Sequence, residues 1–255
     1  MTSSPFVHCI EQIVDRIISI ARNESNEISH LIRYELYVRN SLIETVLNRD
    51  ILLLTPVVKP ALFRQVFQMS VAHPAQIFSL NKMLGQLHEA GNASTISSYL
   101  RLLKAAMLME PLEKYSGNRL RQKTSSPKLL TLNNALVNAA RENTLDQSKS
   151  DLRWWGRLVE NAVGASLINN NMGRALGVYY WRDHDDEVDY VLEEGDKVLG
   201  IEVKSVYPKV RGRGFAAFQR RHPQARAITV APGAGDIPLE NFLCMNAPEI
   251  FRTVW

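Results

Sequence analysis

The stretch EVDYVLEEGDKVLGIEVK, Glu187 to Lys204, decides the fold. It reads as two apolar strands joined at Gly195-Asp196, a Gly-X pair with the chemistry of a two-residue hairpin loop. With that loop Glu194 faces Lys197. Counting outward, Asp189 falls opposite Glu202, and Glu187 opposite Lys204. Side chains alternate faces along a strand. Val188, Tyr190 and Leu192 are therefore expected to meet Val203, Ile201 and Leu199 on one apolar face. The other face collects Glu187, Asp189, Glu202 and Lys204. A one-residue slip would scramble both faces, so the pattern itself supports the register. Opposed carboxylates repel, and half-buried ones are costly without a cation. Lys204 is one candidate for that cation and a divalent ion is the other. The plain alternative is a solvated polar face with one ordinary ion pair.

Upstream, RWWGRLVENAVGASLINN sets Trp155, Leu158, Val159, Ala162, Val163, Ser166 and Leu167 in a helical stripe. Glu160 lies off its centre. It either reaches the polar end of the sheet or is a solvated helix residue. VYYWRD, the hairpin, a basic loop, the helix GFAAFQRRH and the strand ARAITVAP complete an α-β-β-β-α-β order. The hairpin is antiparallel and the last strand returns after a crossover helix. This predicts an α/β unit with a mixed sheet over residues 153–255.

The first half reads differently. ALFRQVFQMSVA is a helix, followed by SLNKMLGQLHEA capped by Ser79, a turn at Gly91-Asn92, and STISSYLRLLKAA capped by Ser94. Helix, short turn, helix is the helix-turn-helix pattern. Two strand-like segments, MLMEPLEKY and PKLLTLN, flank a basic tip with Arg119, Arg121 and Lys123. Together these predict an all-α, winged-helix-like part over residues 59–142. In its second helix Ile96, Tyr99, Leu100 and Leu103 form the buried stripe. Thr95, Ser98, Arg101 and Lys104 are left exposed, which suits phosphate and groove contact, or a solvated face of an interaction domain. Residues 1–58 form a helical N-terminal segment. Its stripe Ile10, Ile13, Val14, Ile17 and Ile18 needs a partner, within the chain or in a second copy of it. The polar run NTLDQSKSDL at 143–152 is the expected boundary.

Composition narrows the function classes. The chain has 255 residues, a net charge of +4, and two lone cysteines, Cys9 and Cys244, with no clustered histidines. That disfavours a disulfide framework and a structural zinc site. No apolar run approaches the ~18 residues of a membrane span, and a cytoplasmic location is expected. The mild basic excess permits contact with DNA.

Glu160, Asp189 and the Glu202-x-Lys204 pair, in this element order, resemble the PD-(D/E)XK nuclease superfamily. The phrases SLIETVLNRDILLLTPVVKPALFRQVF, KMLGQLHEAGNASTISSYLRLLKAA, SSPKLLTLN, WGRLVENAVG, EVDYVL and IEVKS also resemble the C-terminal region of a bacterial and archaeal family of AAA-type ATPases. That region carries a domain of unknown function with a nuclease-like core. The resemblance implies Mg²⁺ or Mn²⁺ held by Asp189, Glu202 and Glu160, with Lys204 completing a catalytic set. Phosphate contacts would then fall to downstream cations such as Arg211 and Arg213. There is no G-x-x-x-x-G-K-[ST] loop, so no ATP site is expected and residues 1–28 read as a remnant of an ATPase junction. Any ATPase would come from a separate chain. Two functions follow as expectations: a metal-dependent DNA endonuclease, or a non-enzymatic DNA-binding or regulatory module.

Overall fold

A computed structural model describes residues 37–51, 57–87, 91–116, 125–141, 145–206 and 213–255. The isoleucine stripe of residues 10–18, the basic tip with Arg119, Arg121 and Lys123, and Arg211 lie outside these described residues.

The described residues of the first half are mostly helical. Val38–Ile43 and Val46–Asp50 are wound one residue wider than an α-helix: Glu44 N–H donates to Arg39 O and Ile51 N–H to Val46 O, each five residues back. Helix α1 (Pro60–Ala72) starts on a proline whose missing N–H costs nothing at that position. It buries Leu62, Phe63, Val66 and Phe67. Strand β1 (Gln76–Ile77) follows, then helix α2 (Leu80–Leu84), capped by Ser79 as expected, and helix α3 (Ala93–Ala105). The cap of α3 is Asn92 rather than Ser94. Its Oδ1 accepts the Thr95 N–H at 2.8 Å, and Ser94 donates its own hydroxyl to the same oxygen. Ile96, Tyr99, Leu100 and Leu103 are the buried face of α3, as the spacing requires. Strands β2 (Met109–Leu112) and β3 (Lys128–Thr131) complete an antiparallel three-stranded sheet in the order β1-β3-β2.

Helices α4 (Asn134–Arg141) and α5 (Leu145–Ser150) lead to the long α6 (Leu152–Asn169). The polar run at 143–152, read as an aperiodic connection, is thus partly helical. Strands β4 (Gly177–Asp183), β5 (Asp186–Glu194) and β6 (Lys197–Val203) form an antiparallel meander. Helix α7 (Arg213–Arg221) crosses over to strand β7 (Arg226–Ala231), parallel to β6. Short strands β8 (Ala234–Gly235) and β9 (Ile237–Pro238) and helices α8 (Leu239–Phe242) and α9 (Ala247–Val254) close the chain. The five-stranded mixed sheet runs β4-β5-β6-β7-β9.

The hairpin register holds from Glu194↔Lys197 to Tyr190↔Ile201, with Gly195 at φ +64° in the turn. Beyond it the expectation fails. Between the pairs Tyr179↔Val191 and Trp181↔Val188, one residue of β4 faces two of β5, Asp189 and Tyr190. This β-bulge re-phases the strand. Val188 moves to the α7 face, packing with Val191, Val198 and Phe218, while Tyr190, Leu192, Leu199 and Ile201 pack under α6.

The two sheets also touch. Tyr115 N–H donates to Tyr180 O at 2.6 Å, and Tyr180 N–H to Glu113 O at 3.2 Å, covering the outer edge of β4. Leu112, Leu130 and Leu132 share one apolar core with Val159, Val163, Tyr190 and Ile201. Asn161, fully buried on α6, accepts the Thr131 N–H and donates to Thr131 O, acting as the missing partner of β3.

A buried lysine in an acidic cluster

The site is built where β3, α6 and β5 converge. Lys128 opens β3 in the run PKLLTL, and its side chain is completely buried. A buried ammonium requires partners, and it has three. Nζ lies 2.5 Å from Glu160 Oε1, 3.1 Å from Glu187 Oε1 and 3.8 Å from Asp189 Oδ1. It also donates to the Asp189 carbonyl at 3.1 Å and sits 5.1 Å from the centre of the Tyr190 ring.

Glu160 and Asp189 each have an anchor besides Lys128. Glu160 projects from α6 and receives Arg157 Nη1 at 3.1 Å; the same guanidinium nitrogen donates to Ala75 O at 3.2 Å. The Tyr190 hydroxyl donates to the Glu160 carbonyl at 2.7 Å, fixing α6 over β5. Asp189, freed from the ladder by the bulge, accepts the Val203 N–H on Oδ2 at 2.7 Å. Glu187 precedes it on β5, and an α-carbon substituent on Gly214 of α7 would strike the Glu187 carbonyl. Glycine is what lets α7 approach there.

The electrostatics follow from this crowding. Burial, and then the Glu160 carboxylate, push Asp189 up to about 7, against the pull of Lys128 and the Val203 N–H. Burial draws Lys128 down, but Glu160, Asp189 and Glu187 outweigh it and hold the ammonium above its ordinary value. Tyr190 is raised by burial and by Glu160.

The structure brings together two of the four residues read as catalytic, Glu160 and Asp189, and adds Glu187 as the third carboxylate. Glu202 and Lys204 pair with each other. Gly200 faces Phe218 of α7, so alternation carries Glu202 to that side of the sheet, away from the α6 face. The cation expected to be Lys204 or a divalent ion is Lys128, contributed by the other half of the chain. Its signal in the sequence was a lone lysine inside an apolar strand.

Oxygens of Glu160, Glu187 and Asp189 lie within 4.8 Å of one another, the spacing of a cation site. A hard divalent ion needs oxygen ligands at about 2.0–2.6 Å with water completing the shell. Lys128 Nζ already contacts all three acids. As folded, the cluster does not fit a divalent ion alongside the ammonium.

The residues read as phosphate ligands are distributed elsewhere. The Thr95 hydroxyl helps to cap α3 and Ser98 accepts from Arg101 at 2.9 Å. Lys104 pairs with Glu110 at 2.6 Å and Arg213 with Asp186 at 2.7 Å. Such surface pairs contribute about 0–1 kcal/mol and are readily exchanged.

Residues 25–148 match the model of a domain of unknown function (DUF8612), and residues 155–250 that of a second domain of unknown function (DUF4143). Uncharacterized proteins of Mycobacterium bovis and Mycobacterium tuberculosis are each 25% identical over 222 residues, covering 84% of this chain and 48% of theirs. The chain thus spans about half the length of these curated relatives. No solved structure matches. Among the described residues no helix is long and apolar enough to cross a membrane.

Proposed function

We propose that the chain is a DNA-contacting module that works together with an ATPase, and that its nuclease-like core is a scaffold rather than a catalyst. The observation that carries this reading is Lys128: its buried ammonium closes the acidic cluster, while Glu202 and Lys204 pair apart from it. Support for DNA contact comes from α3, whose outer face offers Thr95, Ser98, Arg101 and Lys104 beside a small antiparallel sheet, as in winged helices. Support for an ATPase partner comes from the resemblance of WGRLVENAVG, EVDYVL and IEVKS to the C-terminal region of AAA-type ATPases.

A gel shift with a ~30-bp duplex at 50 and 200 mM salt tests it. Binding should weaken with salt, and Arg101→Ala with Lys104→Ala should reduce the log–log slope by about 2. Plasmid incubated with the chain and Mn²⁺ should stay supercoiled. Nicking that Asp189→Asn abolishes would refute the scaffold reading, and a shift indifferent to salt and to both substitutions would refute DNA contact. The competing reading, a Mg²⁺- or Mn²⁺-dependent phosphodiesterase, is favoured by the close spacing of the three carboxylates. It requires Lys128 to leave them.

A further inference from the structure

We infer that Lys128 is a tethered cation standing in for a divalent ion, so that removing its ammonium turns the Glu160–Glu187–Asp189 cluster into a divalent-cation site. The inference deepens the scaffold reading above and rests on it. Three facts support it. The ammonium contacts one carboxylate from α6 and two from β5, although it belongs to β3 of the other sheet. It has no exposure to water, so its charge is balanced within the protein. Two of the acids are held independently of it: Asp189 by the Val203 N–H, Glu160 by Arg157 and by the α6–Tyr190 contact. Lysine removal therefore leaves two anchored carboxylates, with Glu187 beside them on β5, and unbalanced negative charge. That is the condition under which a hard cation binds.

The test is calorimetric titration of Mn²⁺ into the full chain, without DNA, in wild type, Lys128→Met and Lys128→Arg. Wild type and Lys128→Arg should give no saturable heat up to millimolar Mn²⁺. Lys128→Met should bind one ion ~100-fold or more tightly than either, about 2.8 kcal/mol, and lose that binding when Glu160→Gln is added. If Lys128→Met is unfolded alone, Mn²⁺ or Glu160→Gln should restore its thermal transition. Folded Lys128→Met without Mn²⁺ binding, or unfolded Lys128→Met rescued by neither, overturns the inference. So does wild-type binding as tight as the variant's. Absence of a DNA shift would defeat the function proposed above and leave this result untouched.

Discussion

Replacing Lys128 by Met keeps most of the buried stem and deletes the charge, leaving three carboxylates without the cation that touches all of them. Breaking a buried pair by removing one partner costs about 3–5 kcal/mol, a large share of the ~5–15 kcal/mol that holds an ordinary domain together. The loss should depend on pH, and the sign is fixed by Asp189. Its folded pKa, about 7, lies above its unfolded value. The folded state thus binds the extra proton between roughly pH 4 and 7, and this contribution to stability falls as pH rises through that window. Without Lys128 the Asp189 pKa rises further, so the window extends upward. At pH 5.5 Asp189 is protonated and the cluster carries one charge fewer. The cost of Lys128→Met should then be smaller than at pH 8 by roughly 1–2 kcal/mol, about one pKa unit of extra shift. Urea unfolding followed by tryptophan fluorescence reports it, since Trp154 and Trp181 are buried beside the two halves of the core. A cost below about 1 kcal/mol at pH 8, or the same cost at both pH values, would refute the cation role.

Asp189→Asn should flatten the wild-type decline in urea midpoint between pH 5 and 7, because the amide oxygen still accepts from Val203 while the titration is gone; an unchanged slope would assign the titration elsewhere. Asn161→Ala should cost about 2–4 kcal/mol in the same assay, since it strands a buried donor and a buried acceptor on Thr131. Gly164→Ala should cost about 1–3 kcal/mol or prevent folding: its methyl would come 2.5 Å from Leu130 Cδ1 and 2.6 Å from Tyr190 Cζ, and would overlap the Tyr190 hydroxyl. A Gly164→Ala protein as stable as wild type would mean that α6 is free to lift from β5.

Much of the molecule is legible in the chain alone. The loop at Gly195-Asp196 dictates the hairpin, because glycine takes the positive φ that the turn demands. The stripe Ile96, Tyr99, Leu100 and Leu103 buries one side of α3 because helical periodicity leaves those side chains no other way to leave water. The α-β-β-β-α-β order likewise follows from local pattern. What local pattern could not decide is the site. A bulge at Asp189-Tyr190 is set by how β4 pairs with β5, and it re-phases every side chain before it, so strict alternation misplaced Val188 and put Asp189 on one face with Glu202 and Lys204. Lys128 lies 32 residues before Glu160 and 61 before Asp189 in the chain, and only the packing of one sheet against the other brings its ammonium to both. Burial is a property of the assembled core, and an ion pair between distant segments is chosen there, where water no longer competes for either charge.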